Sequence, residues 1–314
     1  MARRRRIKYS VVIPVYNSEG IVGETVDATV SFFEKRGLDY EIILVNDGST
    51  DASWDVIREK ALGNKHITAI NLLRNYGQHT AVLCGLRHSK GDYVITMDDD
   101  MQTPPEEIIH LINKAGDGYD LVVGRFRKKK HPLYRRLGSR LVAFINRHVF
   151  GQPRDFVATN FRIMRRDLVD RICSYRTFYP YITGLAIMFS ARRANVAVEH
   201  RERKVGKSGY NFRKIAELMT RILFSYSSYP VRVMMAAGVI AVAISVLLGL
   251  ILLVLGLCGG AVFPVWAIAF LFLSFLNGVV IVMLAIVGEQ VARLLKQTSG
   301  IECYHVREIV QEKD

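Results

Sequence analysis

Three consecutive carboxylates, Asp98-Asp99-Asp100, stand directly after the apolar run Tyr93-Val94-Ile95-Thr96-Met97. Like charges at a strand end repel one another and persist where solvent or a cation neutralises them. Asp98 and Asp100 are two residues apart, so on an extended chain their side chains point to the same side. Two oxygen ligands on one side, with room for water, suit Mg²⁺ or Mn²⁺ held mostly by substrate phosphates. A bare D-x-D also occurs in solvated acidic turns, so the surrounding elements have to decide between the two.

Those elements alternate. Strand signals at 9–15, 40–45, 67–72, 93–97 and 120–124 are separated by helical patterns running through about 33, 62 and 88. Thr103-Pro104-Pro105-Glu106 has the form of a capping box with a proline in the first turn, and predicts another helix. Continuous apolar strands alternating with helices predict an α/β fold with a parallel, doubly wound sheet. Ligands of such sheets bind beyond the carboxyl ends of the strands. Asn17, Asp47, Asn75 and the three aspartates all fall at those ends, and several polar groups converging on one edge make a site. Neither G-x-G-x-x-G nor G-x-x-x-x-G-K-[ST] is present. A dinucleotide enzyme or P-loop hydrolase is therefore not expected, and a nucleotide diphosphate would be held through a metal.

The 314 residues suffice for one sizeable domain and an appendage, or for two domains, and half of them are hydrophobic. From 233 to 288 there is no charged residue; Arg232 and Glu289 bracket the stretch, and 256–264 breaks it into two runs, each long enough to cross a hydrocarbon core of about 20 helical residues. The loop between them lacks Lys and Arg. The flanks carry Arg213, Lys214, Arg221 and Arg232 on one side and Arg293, Lys296 and Arg307 on the other. The positive-inside rule then places both ends in the cytoplasm. Segments 131–150 and 211–229 interleave basic and apolar residues, a pattern suited to a headgroup layer. The net charge of +14 could serve nucleic acid or an anionic membrane face. With the arginines flanking membrane segments, no nucleic acid partner is expected. The four cysteines are scattered and read as reduced. The basic N-terminus leads into a strand, and no secretory signal is read there.

Four runs now carry a resemblance: Val11-Val12-Ile13-Pro14-Val15-Tyr16-Asn17, Val45-Asn46-Asp47-Gly48-Ser49-Thr50-Asp51, Arg74-Asn75-Tyr76-Gly77-Gln78-His79, and Asp98-Asp99-Asp100-Met101-Gln102-Thr103-Pro104-Pro105-Glu106. Together they resemble the family 2 glycosyltransferases of the GT-A fold. More narrowly, they are similar to the polyprenyl-phosphate branch, which includes dolichol-phosphate mannose synthase and the undecaprenyl-phosphate glucosyl- and aminoarabinosyl-transferases. The resemblance implies inverting transfer of one sugar from a UDP-sugar, or a related nucleotide sugar, to polyprenyl phosphate at the cytoplasmic membrane face.

By position it implies that Pro14, Tyr16 and Asp47 line the base pocket, with Asp98 and Asp99 also on the nucleotide. Asp98, Asp100 and Gln102 would serve Mg²⁺ or Mn²⁺. Arg203, Lys207 and Ser208 would hold the acceptor phosphate. Asp100, Arg162 and Arg203 are the groups expected to carry catalysis. Two positions depart from relatives: Gly209 stands where many have lysine, and Asn160 where some have an aspartate proposed as a base; Asp155 is near but out of register. A lipid phosphate is already anionic, so it needs positioning and charge screening rather than deprotonation. The implied organisation is a cytoplasmic catalytic domain at 1–210, an interfacial helix at 211–232, two membrane helices within 233–288 and a cytoplasmic tail at 289–314. Some relatives assemble as homotetramers. A processive polysaccharide synthase would need a Q-x-x-R-W run, and Trp54 and Trp266 lack that context. A catalytically silent scaffold for a lipid-sugar pathway has only the two departures in its favour.

Overall fold

The runs of β-branched and aliphatic residues form strands because helices cover both faces of the sheet they build. In the computed structural model, which describes residues 8–126, 144–177, 179–201, 222, 225–227, 229–259, 265–298 and 303–312, four strands lie parallel at the centre. These are β1 (Lys8–Val15), β2 (Asp39–Asn46), β3 (Ile67–Leu72) and β4 (Tyr93–Thr96), in the order β4-β1-β2-β3. Val11, Val12, Ile13, Ile42, Leu44, Val45, Ile70 and Ile95 are fully buried. Burial on both faces is why these strands read as continuous apolar runs, without alternation. The connections are α1 (Val22–Arg36), α2 (Ser53–Leu62) and α3 (Gln78–His88). α3 lies close against β1: a Cβ at Gly85 would stand 2.3 Å from Val12 Cγ1.

The carboxyl ends of β1 to β4 therefore share one edge of the sheet, and each is followed there by a polar loop: Tyr16 to Ser18, Asp47 to Ser49, Arg74 to Gly77, and Asp98 to Gln102.

Outside this parallel core the sheet is mixed. β5 (Leu121–Phe126), β6 (Arg162–Arg165), β7 (Arg193–Val198) and β8 (Val306–Gln311) extend it to the order β7-β5-β6-β4-β1-β2-β3-β8. β6 runs antiparallel between β4 and β5, and β8 antiparallel to β3. The expected capping box is not formed. Pro104 stays extended (φ −59°, ψ 143°), residues Pro105–Glu107 make a single 3₁₀ turn, and α4 (Ile108–Gly116) starts without a side-chain cap. Consecutive prolines hold the chain out of the helical region until the Glu107 N–H reaches the Pro104 carbonyl at 3.0 Å. The remaining helices of this unit with both ends described are α5 (Arg166–Ser174) and α6 (Ile182–Phe189).

The chain divides into two compact units, one of Met1–Met219 with Ile301–Asp314, the other of Thr220–Gly300. The second unit contains α7 (Tyr229–Gly259) and α8 (Val265–Thr298). Val231–Leu257 and Trp266–Ala292 are long and apolar enough to cross a membrane. Each stretch of 27 residues spans about 40 Å at 1.5 Å per residue, against a hydrocarbon core of about 30 Å. The two helices pack on glycine: a Cβ at Gly238 would sit 3.0 Å from the Gly278 carbonyl, and one at Gly278 3.1 Å from that of Gly238. Ser245 Oγ donates to Ser274 Oγ at 3.0 Å, a pairing that suits an apolar surrounding. Leu247, Leu253, Phe270 and Met283 face outward and are more than half exposed. A buried core hairpin would have covered them.

α8 continues to Thr298, past the boundary expected at 288, and the segment expected as a tail supplies β8 to the catalytic sheet. Of the two basic amphipathic segments, only 144–150 and scattered residues after 221 are described; the rest of 131–150 and 211–229 lies outside the described residues.

Candidate active site

The four polar loops enclose a cavity of about 410 Å³ lined by Pro14, Val15, Tyr16, Asp47, Asn75, Gly77, Gln78 and Asp99. Its volume is that of a small-molecule site. The structure thus brings together four of the five residues expected on the nucleotide (Pro14, Tyr16, Asp47 and Asp99), with Asp98 on the same loop as Asp99.

At one end Asp47 is buried. Its Oδ1 accepts the Tyr76 N–H at 2.7 Å and its Oδ2 the Gly77 N–H at 2.9 Å. Burial pushes the carboxyl up to about 6, against the pull of those two N–H groups. The loop carrying it is pressed against its neighbour. Gly48 has φ +66°, and a Cβ there would lie 2.5 Å from backbone atoms of Arg74 and Asn75, so glycine is required for both conformation and clearance. The β1 loop is tied to the β2 loop by Asn17 N–H to Ser49 Oγ (3.0 Å), Thr50 N–H to Asn17 Oδ1 (2.9 Å) and Ser18 N–H to Ser53 Oγ (2.7 Å).

At the other end lies Asp99, with Asp98 and Asp100 beside it on the same loop. Asp99 accepts from the Ser18 hydroxyl, and Thr25 Oγ1 donates to the Asp99 carbonyl at 2.9 Å. Desolvation pushes Asp99 up to about 6, opposed by the Ser18 bond and reinforced by the charges of Asp98 and Asp100. Asp98 is also raised, by desolvation first and then by Asp100. Two side-chain amides counter this at Asp98 Oδ1: Gln78 Nε2 at 2.7 Å and Asn160 Nδ2 at 3.4 Å. Asn160, at the position where some relatives have an acid, is here a neutral donor that adds no third charge to the pair. Met101 adopts φ +53°, a left-handed conformation uncommon for residues other than glycine. This bend lets the Gln102 N–H reach Asp100 Oδ1 at 3.1 Å.

Among the described residues no group of three or more His, Cys, Asp or Glu side chains converges on a metal position. Asp98, Asp100 and Gln102 fit a cation of the Mg²⁺ or Mn²⁺ type in another way, as a few hard oxygen donors that leave most of the coordination to phosphate and water. Two like charges at one strand end leave a balance that such a cation would complete.

Arg162, expected to touch the reacting groups, is 1% exposed. Its Nε donates to Thr96 Oγ1 and its Nη1 to Thr183 Oγ1, both at 3.1 Å, while Thr96 Oγ1 donates to the Asn160 carbonyl. Burial lowers the guanidinium to about 10, partly offset by Tyr181 and Asp98. It sits behind the site, and its charge acts on Asp98 through the protein. His79 is held neutral, pushed to about 3 by desolvation and by Arg162, with its ring edge-on to Tyr181 at 5.0 Å.

Arg203, Lys207 and Ser208 lie outside the described residues. Arg201, the last described residue before them, donates its N–H to the Gln102 carbonyl at 2.7 Å, and Glu199 donates its N–H to Glu107 Oε2 at 3.0 Å. Sequence reasoning missed Gln78, Asn160 and Ser18 as partners of the aspartates. The signal available for Gln78 was its place in the Asn75-Tyr76-Gly77-Gln78-His79 run.

Residues 10–173 match the family profile described as glycosyl transferase family 2. The chain is similar to the undecaprenyl-phosphate 4-deoxy-4-formamido-L-arabinose transferase of Proteus mirabilis, with 34% identity over 98% of this chain and 95% of that protein. It is likewise similar to the protein of the same name from Shewanella sediminis, with 34% identity over 96% of this chain and 92% of the relative. Among solved structures, glucosyl-3-phosphoglycerate synthase from Mycobacterium tuberculosis superimposes with a TM-score of 0.52 at 18% identity, covering 69% of this chain and 79% of that one. Mannosyl-3-phosphoglycerate synthase from Rubrobacter xylanophilus gives 0.52 at 16% identity, covering 69% and 72%. These likenesses match the GT-A arrangement of a mostly parallel, mixed sheet. The profile match and the near full-length relatives place this chain in glycosyltransferase family 2.

Proposed function

We propose that the protein transfers a single sugar from a UDP-sugar, or a related nucleotide sugar, to polyprenyl phosphate at the cytoplasmic membrane face, with inversion and with a divalent cation. The observation that carries this reading is a single pocket. It is lined by the buried Asp47 and by Asp99, the middle one of three carboxylates on one loop, in a chain that leaves the catalytic unit for two membrane-length helices and returns to add β8 to the same sheet. A hairpin that starts and ends at one unit keeps both its ends on one side of a membrane, as the flanking arginines also indicate. The relatives, named as undecaprenyl-phosphate sugar transferases, support the acceptor.

Asp47 has accepted two backbone N–H groups and keeps lone pairs for the base N3–H. Tyr16 and Pro14 flank it in the cavity wall. Asp98, Asp100 and Gln102 would hold Mg²⁺ or Mn²⁺, which when bound supplies charge stabilisation for the departing nucleoside diphosphate. A lipid phosphate oxygen forms the new bond to the anomeric carbon. The bond from that carbon to the nucleotide diphosphate breaks, and its electron pair leaves with the diphosphate. No proton has to move, which agrees with Asn160 being an amide. Arg203, Lys207 and Ser208 remain our assignment for the acceptor phosphate, since arginine's planar fork suits it.

The test is transfer of label from a panel of UDP- and dTDP-sugars to undecaprenyl phosphate by detergent-purified protein with Mg²⁺ or Mn²⁺. The UDP form of 4-deoxy-4-formamido-L-arabinose comes first in the panel, because the relatives carry that sugar in their names. A chloroform-soluble labelled lipid, absent with EDTA, is the expected result. Folded protein that makes no lipid product from any donor contradicts the reading.

A further inference from the structure

The run Asn75-Tyr76-Gly77-Gln78-His79 touches both ends of the donor pocket. Tyr76 and Gly77 give their N–H groups to Asp47, and the next residue, Gln78, gives its amide to Asp98 at 2.7 Å. Asn75, Gly77 and Gln78 also line the cavity itself.

We infer that Gln78 is a positioning residue for the metal-ligating carboxylate of Asp98, and that this run ties the base end of the site to its metal end. The inference rests on the donor-site reading above.

Three features carry it. Asp98 faces the like charge of Asp100, and a carboxylate free to rotate would turn away from it. Gln78 and Asn160 both donate to Oδ1, which fixes that rotation and leaves the second oxygen for a cation. Both donors are neutral amides, so they orient the carboxylate without cancelling the charge a cation needs, as outer partners of metal ligands do elsewhere.

Second, the run can serve both ends only because of Gly77. It takes φ +94° with ψ 149° at the start of α3, a region essentially restricted to glycine. That conformation sends two successive N–H groups to Asp47 while the following side chain reaches Asp98.

Third, the turn is anchored. The Gly77 carbonyl accepts the Thr80 and Ala81 N–H groups at 2.9 and 3.1 Å, and His79 packs edge-on to Tyr181. Gln78 itself is exposed to the pocket, so exchanging its amide leaves the core intact.

The experiment compares wild type with Gln78→Met. Mn²⁺ binding is titrated by electron paramagnetic resonance in the presence of UDP, and uridine binding is measured by calorimetry without metal. The amide's loss is expected to weaken Mn²⁺ by about threefold or more, toward the 10–100-fold typical of lost outer partners, with uridine affinity kept. A smaller loss of Mn²⁺ affinity overturns the positioning role. So does a parallel loss of uridine and Mn²⁺, which would mark collapse of the turn and not misorientation of one carboxylate. If wild type shows no Mn²⁺-assisted UDP binding, the donor-site reading itself falls. If wild type binds and Gln78→Met matches it, only the role of Gln78 falls.

Discussion

The two ends of the pocket are built in opposite ways. At the base end a single buried carboxylate, Asp47, is held by two backbone N–H groups, and its loop is locked by Gly48 against the backbone of Arg74 and Asn75. At the metal end three carboxylates crowd one loop, restrained by side-chain amides, a serine hydroxyl and a left-handed Met101. Backbone donors cannot swing away, so the first end is formed before any ligand arrives. The second end holds surplus negative charge, and under the proposed function a cation and phosphates would balance it. The proposed function thereby assigns recognition of the base and activation of the leaving group to separate physics within one strand edge.

The comparison breaks most sharply at Asp100. Asp100→Ala removes one of the two carboxylates proposed to hold the cation and is expected to lower transfer by about 10³-fold, since the stabilisation lost is several kcal/mol at about 1.4 kcal/mol per decade. Uridine affinity should stay unchanged in the same variant. Transfer rates on lipid acceptor and calorimetry with uridine check the two halves.

Gly77→Ala strains the one turn that serves both ends. Apart from its own chain neighbours, no atom lies within 4 Å of the added methyl, so the cost is conformational, about 1–3 kcal/mol. Uridine and Mn²⁺ affinities should fall together, in contrast with Asp100→Ala.

Acidity sharpens the same comparison at the base end. Asp47 sits at about 6, raised from 3.8 by burial. As pH falls through about 6 it gains a proton and loses its capacity to accept from the base, so uridine binding should weaken between pH 7.5 and 5. The sign for stability is the reverse. With its folded value above its unfolded one, Asp47 favours the ligand-free fold most below about pH 4, and that contribution is lost as pH rises through 6. Uridine titrations across this range, beside thermal unfolding of the ligand-free protein, separate the two effects.

The smallest effect is expected at Met101→Gly. Releasing a left-handed non-glycine residue gains about 1–2 kcal/mol, and the entropy of glycine returns about 0.5–1. Thermal unfolding should show a net change of about 1.5 kcal/mol or less.

Much of this was legible in the sequence where burial imposes a pattern. β1 to β4 are buried on both faces, so their apolar runs marked them, and the first polar residues after each run marked the site edge. β8 was not legible. It pairs with β3 from more than 200 residues away, and only Val310 within it is buried, so Val306–Gln311 carries almost no inward pattern of its own. Arg162 was expected among the catalytic groups because an arginine near a phosphate site invites that reading. Its actual partners, Thr96 and Thr183, are brought together only by the packing of β4, β6 and α6. The capping box at Thr103 failed because two prolines overrode a side-chain signal. Gln78 and Asn160 were invisible as partners of Asp98 because periodicity fixes which face a residue takes, but not which amide meets which carboxylate.

The central claim is that the base end is complete without metal and the metal end is not. Calorimetric titration of wild-type protein with uridine and with UDP, each with and without Mn²⁺, tests it most directly. The account predicts that uridine binds equally in both conditions and that UDP binds markedly tighter with Mn²⁺. UDP affinity indifferent to Mn²⁺, or uridine binding that requires it, would contradict the account.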